Sequence, residues 1–158
     1  MADNLTPEQR SVRMSRIRAK DTTPELAVRK ALHRLGFRFR LHRSDLPGSP
    51  DLVFPSRRKV VLVHGCFWHW HPDPCCPIAK VPKSRQDFWI GKLTRNRERD
   101  ERTLASLEGL GWSPVTVWEC QLRPKAQAMT IARIATFLGS VPNEEIQGRI
   151  TVLGGDGP

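Results

Sequence analysis

The sequence predicts an α/β fold in which helices flank one mixed central sheet. Three observations carry that expectation. Segments with helical spacing of apolar residues and short strand-like runs follow one another in the order helix, three strands, helix, strand, helix. One run, Val60-Val61-Leu62-Val63, is apolar throughout, as a strand buried on both faces must be. A chain of 158 residues has material for one compact core and too little for two domains of ordinary size.

Each element has its own signal. Residues 1–20 are polar and basic, with Val12, Met14 and Ile17 the only sizeable apolar side chains after Leu5, so they are expected to form an arm lying on something else. A single domain is expected over residues 21–138. It opens with Thr23 as N-cap and Pro24 at the first helical position; Ala27, Val28, Ala31, Leu32 and Leu35 follow at helical spacing until Gly36 stops the helix. Residues 37–41 alternate large apolar side chains with arginine, predicting a half-buried strand. The turn-rich stretch Leu46-Pro47-Gly48-Ser49-Pro50 leads to a second strand over 51–54, and a basic turn leads to the third over 60–63. Folding this hairpin symmetrically about Arg57 sets Asp51 opposite Val63, with His64 one step beyond. Ser84 and Asp87 have the form of a capping box, opening a long helix that ends near Gly109 and Gly111. Residues 115–118 predict a further strand, and residues 126–138 a closing helix with Met129, Ile131, Ile134 and Leu138 as apolar positions. The tail, residues 139–158, reads as weakly structured.

Composition narrows the partner. Lysine and arginine number 26 against 16 acids, a net charge of +10, which favours a polyanion such as nucleic acid. No apolar run approaches the roughly 18 residues of a membrane span, and the amino terminus lacks the apolar block of a secretory signal, so a cytoplasmic protein without membrane contact is expected. Tyrosine is absent while tryptophan occurs five times, a bias that suits flat rings used for stacking as well as for core packing.

Several residues carry chemistry. Asp51, at the mouth of a strand pair, is placed to hold a hard divalent cation such as magnesium, although a Pro-Asp pair alone equally fits a turn cap. His64 and His69 follow the opposite strand, and a histidine near neutral pKa can take a proton from an attacking water. Asp100 shares one helix face with Leu93, Asn96, Leu104 and Leu107. A carboxylate on that apolar stripe should meet a histidine, a cation or several donors. Cys66, His71 and Cys76 are spaced by four intervening residues each and Cys120 ends the last strand, the donor set of a closed structural zinc site; Cys75 competes as the third sulfur. Phe67, Trp68 and Trp89 lie near these polar groups, where rings in a basic protein can enter and unstack a duplex; Met14 on the arm could act likewise, and core packing is the alternative for the rings.

Pro50-Asp51, Val63-His64-Gly65-Cys66-Phe67-Trp68-His69, Pro82-Lys83-Ser84-Arg85 with Phe88-Trp89, Asn96 with Glu98-Arg99-Asp100, Gly111-Trp112 and Val117-Trp118-Glu119-Cys120 occur together in this order. This set, covering roughly residues 10–122, closely resembles the very short patch repair (Vsr) endonucleases. The resemblance implies a restriction-endonuclease-like core and a magnesium-dependent nick on the 5′ side of the thymine in a T:G mismatch of double-stranded DNA, in a bacterial, nucleoid-associated setting. It further implies that Asp51 and the Val63 carbonyl hold magnesium, that His69 acts as general base oriented by Asp100, that His64 supports the site, and that Glu25 is another active-site acid. Phe67, Trp68 and Trp89 would form the wedge from the major groove, with Asn96 at the DNA and Met14 contacting the minor groove. Counting back from Val81-Pro82 favours Cys76 over Cys75 as zinc ligand. Leu62 and His64 stand where restriction enzymes carry an acid and a lysine, which separates this chain from ordinary restriction nucleases. One nick needs one active site, so a monomer is expected, with mismatch-repair proteins as further partners to consider.

Overall fold

The computed structural model describes Thr6, Gln9, Val12 and residues 20–139. Met14 and most of the expected arm, and residues 140–158 of the expected tail, lie outside the described residues. Within them, helix α1 spans Thr23–Arg34, strands β1, β2 and β3 span Arg40–Leu41, Leu52–Phe54 and Lys59–His64, helix α2 spans Gln86–Gly109, strand β4 spans Ser113–Trp118 and helix α3 spans Pro124–Leu138. The sheet order is β1-β2-β3-β4. The first two pairings are antiparallel and β3 with β4 is parallel, so the sheet is mixed, a form compatible with a nuclease core.

The apolar run of β3 divides by side-chain alternation between two cores. Val61 and Val63 join Leu52, Phe54 and Val117 in packing against Val28 and Leu32 of α1 and Ile131, Ile134 and Leu138 of α3. Val60 and Leu62 face the other way with Val53, against Leu107 and Leu104 of α2, Leu46 and Trp112. Helices therefore cover both faces of the sheet, which explains why β3 is apolar at every position from Val60 to Val63. No described helix is long and apolar enough to cross a membrane.

Several boundaries differ from expectation for identifiable reasons. The cap of α1 is Thr22, not Thr23. Thr22 keeps an extended backbone and its hydroxyl accepts from the Glu25 N–H, while Thr23 is already helical. Residues 37–39 do not pair: Phe37 and Phe39 pack edge-on against Phe54, at 6.3 and 5.7 Å between centroids, and their burial is achieved without a ladder, leaving β1 only two residues long. The Ser84 capping box does not form. Helix α2 starts two residues later behind Arg85, which has left-handed backbone and gives no side-chain cap. Met129 is 79% exposed, so the apolar stripe of α3 runs through Ile131, Ile134 and Leu138 without it.

The hairpin register is shifted by one from the symmetrical folding. Leu52 pairs with Val61 and Phe54 with Lys59, because the turn is a 3-10 segment, Pro55–Arg57, closed by Arg58 in left-handed conformation. Asp51 nevertheless reaches Val63 through its side chain, as described below. The loop before β2 is pressed onto α2 at Gly48. There φ is +71°, and a Cβ would come within 2.4 Å of Thr103 Cγ2, so only glycine fits.

Candidate active site

The ends of β2 and β3, the start of α1 and the middle of α2 converge on a cavity of about 670 Å³ lined by Glu25, His42, Asp51, Val63, His64, His69 and Asp100, among others. Asp51 immediately precedes β2, and its Oδ2 accepts the Val63 N–H at 2.7 Å. Burial pushes the Asp51 carboxyl up to about 6; the Val63 hydrogen bond opposes this and the nearby Glu25 carboxylate reinforces it.

His64 is the last residue of β3. The chain then turns tightly, His69 N–H donating to the Gly65 carbonyl and His71 N–H to that of Cys66, and this brings the His69 ring back over His64 in a parallel stack at 3.8 Å. Burial, then the neighbouring His69, lowers His64 to about 4, so it is neutral at physiological pH. On its other side His69 meets α2, with Nδ1 2.6 Å from Asp100 Oδ2. An ionised carboxylate only accepts, so Asp100 keeps a proton on Nδ1 and makes Nε2 the ring's proton-accepting nitrogen. Burial is the largest influence on the Asp100 pKa and acts to raise it, but the His69 hydrogen bond together with the charges of His69, His64 and Arg99 outweighs it, and the net shift is downward. The acid on the apolar stripe is thus partnered by a histidine.

Glu25 is 3% exposed despite being an acid. Its two oxygens accept from the Asp21 N–H at 3.0 Å, the Thr22 hydroxyl at 2.9 Å and Arg29 at 2.9 Å. The Thr22 cap that starts α1 is therefore also what orients this carboxylate. His42 sits between Glu25 and Asp51, 3.8 Å from each.

Next to the cavity, ligand atoms of Cys66, His71, Cys76 and Cys120 lie within 4.8 Å of one another. Cys66 follows β3 and Cys120 follows β4, so parallel pairing of those strands sets the two sulfurs side by side, with the Cys120 N–H 3.4 Å from Cys66 Sγ. Cys75 is exposed and stands outside the cluster; Cys76 is the sulfur brought in. Burial pushes the Cys66 thiol up to about 12, and a cation among the sulfurs would favour its thiolate form. Three sulfurs and one imidazole suit zinc and leave no position for water.

Phe67, Trp68 and Trp89 form a partly buried cluster with centroids 5.0 to 6.2 Å apart, outside both cores. The Lys92 ammonium lies over both indoles, and Asn96 Nδ2 donates to the Trp68 carbonyl at 2.9 Å. Three residues at the site escaped sequence reasoning. Arg29 and His42 look like ordinary members of basic segments, and only the fold joins them. Glu119 accepts the Cys66 N–H at 3.3 Å and lines the cavity; its place between Trp118 and Cys120 was the available signal.

Known proteins resemble this chain over much of its length. The family model described as DNA mismatch endonuclease Vsr matches residues 2–75. The chain is 55% identical over 122 residues to the type II nicking enzyme V.XorIIP of Xanthomonas oryzae pv. oryzae, covering 77% of this chain and 88% of that one. It is 43% identical over 126 residues to the type II nicking enzyme V.NmeAIP of Neisseria meningitidis, covering 80% and 88%. It is 42% identical over 123 residues to the DNA mismatch endonuclease Vsr of Escherichia coli, covering 78% and 77%. A chain with nuclease-compatible topology, a histidine–carboxylate pair lining the cavity and this extent of identity belongs to the Vsr family of DNA mismatch endonucleases.

Proposed function

We propose that this protein nicks one strand of duplex DNA on the 5′ side of a thymine mispaired with guanine, in a magnesium-dependent reaction that starts very short patch repair of deaminated 5-methylcytosine. The observation that carries the reading is the His69–Asp100 pair facing the same cavity as the Asp51 carboxylate. Asp51 suits a hard cation: it is a mostly buried acid whose pKa burial has raised, the mark of a carboxylate short of positive charge. Asp51 and the Val63 carbonyl would hold magnesium, which when bound would stabilise charge developing on the phosphate and leaving oxygen. His69 takes the proton from the attacking water at Nε2. Asp100 fixes that tautomer and stabilises the imidazolium that results. Neutral His64 supports the His69 ring by stacking, and Glu25 completes the acidic lining. Hydrolysis leaves a 3′-hydroxyl and a 5′-phosphate.

Cys66, His71, Cys76 and Cys120 would hold a structural zinc that steadies the turn carrying His69. Phe67, Trp68 and Trp89 would enter the duplex at the mispair, where weakened stacking lowers the cost of opening, with Asn96 behind them and Met14 of the basic arm on the other groove. The basic arm over residues 1–20 would contact DNA, residues 21–138 would act as one endonuclease domain, and the protein would work as a monomer.

The test is strand-specific cleavage with magnesium on matched and T:G-containing duplexes, each strand labelled in turn. Nicking only beside the mispaired thymine, lost in Asp51→Ala, is the expected result. Trp68→Ala should weaken discrimination between the two duplexes more than overall affinity. Cleavage of matched DNA at similar rates would replace the mismatch reading with that of a broader nuclease.

A further inference from the structure

His42 stands in the loop after β1 with a positive φ of 46°, a backbone conformation that non-glycine residues adopt at a cost. Its ring is largely buried and surrounded by charge. Asp21, Glu25 and Asp51 present carboxylate oxygens 3.8 to 4.0 Å from its nitrogens, and Arg29 is closer than any of them. Arg29 Nη2 lies 2.8 Å from His42 Nε2. A guanidinium only donates, so this contact requires a lone pair on Nε2. The proton of the ring then sits on Nδ1, the nitrogen that faces Asp51 Oδ1 at 3.8 Å. Arg29 is itself held by Asp21 Oδ1 at 2.5 Å and Glu25 Oε2 at 2.9 Å, so its fork has little freedom to turn away.

From this arrangement we infer that His42 is a positioning residue for Asp51: Arg29 locks the ring as the Nδ1–H tautomer, and that N–H steers the Asp51 oxygen not already committed to the Val63 N–H. The inference rests on the proposed role of Asp51 in nicking. It adds Arg29 and His42 to the machinery as a pair that acts through the carboxylate and touches no reacting atom. The Val63 N–H holds Oδ2 by a hydrogen bond, and His42 Nδ1–H faces Oδ1 from 3.8 Å, a longer polar contact that favours one orientation of the carboxyl group. The lone pairs left over are then presented in one direction, which is the task of residues behind a metal ligand.

Tautomers are read directly from long-range proton–nitrogen NMR correlations of imidazole nitrogens, recorded on the full-length protein without added magnesium. Wild type should show His42 with its proton on Nδ1, and Arg29→Met, which keeps length but removes the donor, should move the ring toward the Nε2–H form. An Nε2–H ring in the wild type would overturn the inference whatever the enzyme does. On T:G duplex, His42→Leu should raise the magnesium concentration for half-maximal nicking about tenfold while leaving duplex affinity unchanged. His42→Asn, whose amide nitrogen can stand in for Nδ1, should return it close to wild type. Equal defects in both variants, or none in either, would reject the positioning role. If the wild type nicks no T:G duplex, the activity reading fails while the NMR experiment still decides the tautomer.

Discussion

Burial raises the pKa of Asp51 to about 6 and lowers that of His64 to about 4, and the two shifts act on stability with opposite sign. The folded state holds a proton on Asp51 more tightly than the unfolded chain does. Its destabilising effect is therefore absent below about pH 4, grows as the pH rises toward 6, and is complete above that, reaching at most roughly 3 kcal/mol. His64 is charged more readily in the unfolded chain, so stability is lost as the pH falls from about 6.5 to 4. In chelator at pH 8, Asp51→Asn should be more stable than wild type in denaturant titrations. The advantage should vanish near pH 4 and narrow with saturating magnesium; a gain independent of pH would show that charge is not its origin. At this scale the sequence was partly legible. Asp100 announced itself by standing on an apolar stripe, where an acid must have a partner. His42 gave no such sign: its partners lie 13 residues upstream in Arg29 and across a loop in Asp51, and no periodicity links them.

Strands and helices were legible where burial dictates a pattern, and less so where backbone and side chain follow different rules. Val60 to Val63 had to be a central strand, and Leu93, Leu104 and Leu107 had to lie on one helix face. Phe37 and Phe39 look like strand residues because they alternate, yet core packing satisfies them without pairing. The hairpin slipped by one because a 3-10 turn ending in a left-handed arginine is not symmetrical about Arg57, a detail outside any hydrophobic pattern. The loop before β2 offers a test of this element-scale packing. Gly48→Ala adds a methyl against Thr103 at an unfavourable φ, and it should cost about 1–3 kcal/mol in equilibrium unfolding. Adding Thr103→Ala should recover part of that loss, the remainder belonging to the backbone; no recovery would mean that the clash with Thr103 is not what matters.

The whole molecule places its two chemistries at one end of the sheet. Asp51, Val63 and His64 line the cavity, while Cys66 and Cys120 continue from β3 and β4 just beyond it. If Cys66, His71, Cys76 and Cys120 hold zinc as proposed, a strong chelator should lower the thermal midpoint and abolish nicking even in excess magnesium, because the turn that carries His69 lies between Cys66 and His71. Cys120→Ser should behave like the stripped protein and Cys75→Ser like wild type; a Cys75→Ser protein that loses zinc would instead place that sulfur in the site. The order of elements, three strands then helix then strand, was enough to foresee a mixed sheet with a helix on each side, since the crossover through α2 makes β4 parallel to β3.

The margins of that sheet matter for a protein that works on DNA. One margin is β1, two residues long, and the other is β4, where Pro114 removes a main-chain donor. Among the described residues, neither offers a long run of hydrogen-bonding groups onto which a neighbouring copy could add a strand. A basic protein accumulates along a polyanion far above its bulk concentration, and short or interrupted sheet borders would limit strand addition between copies crowded on one duplex.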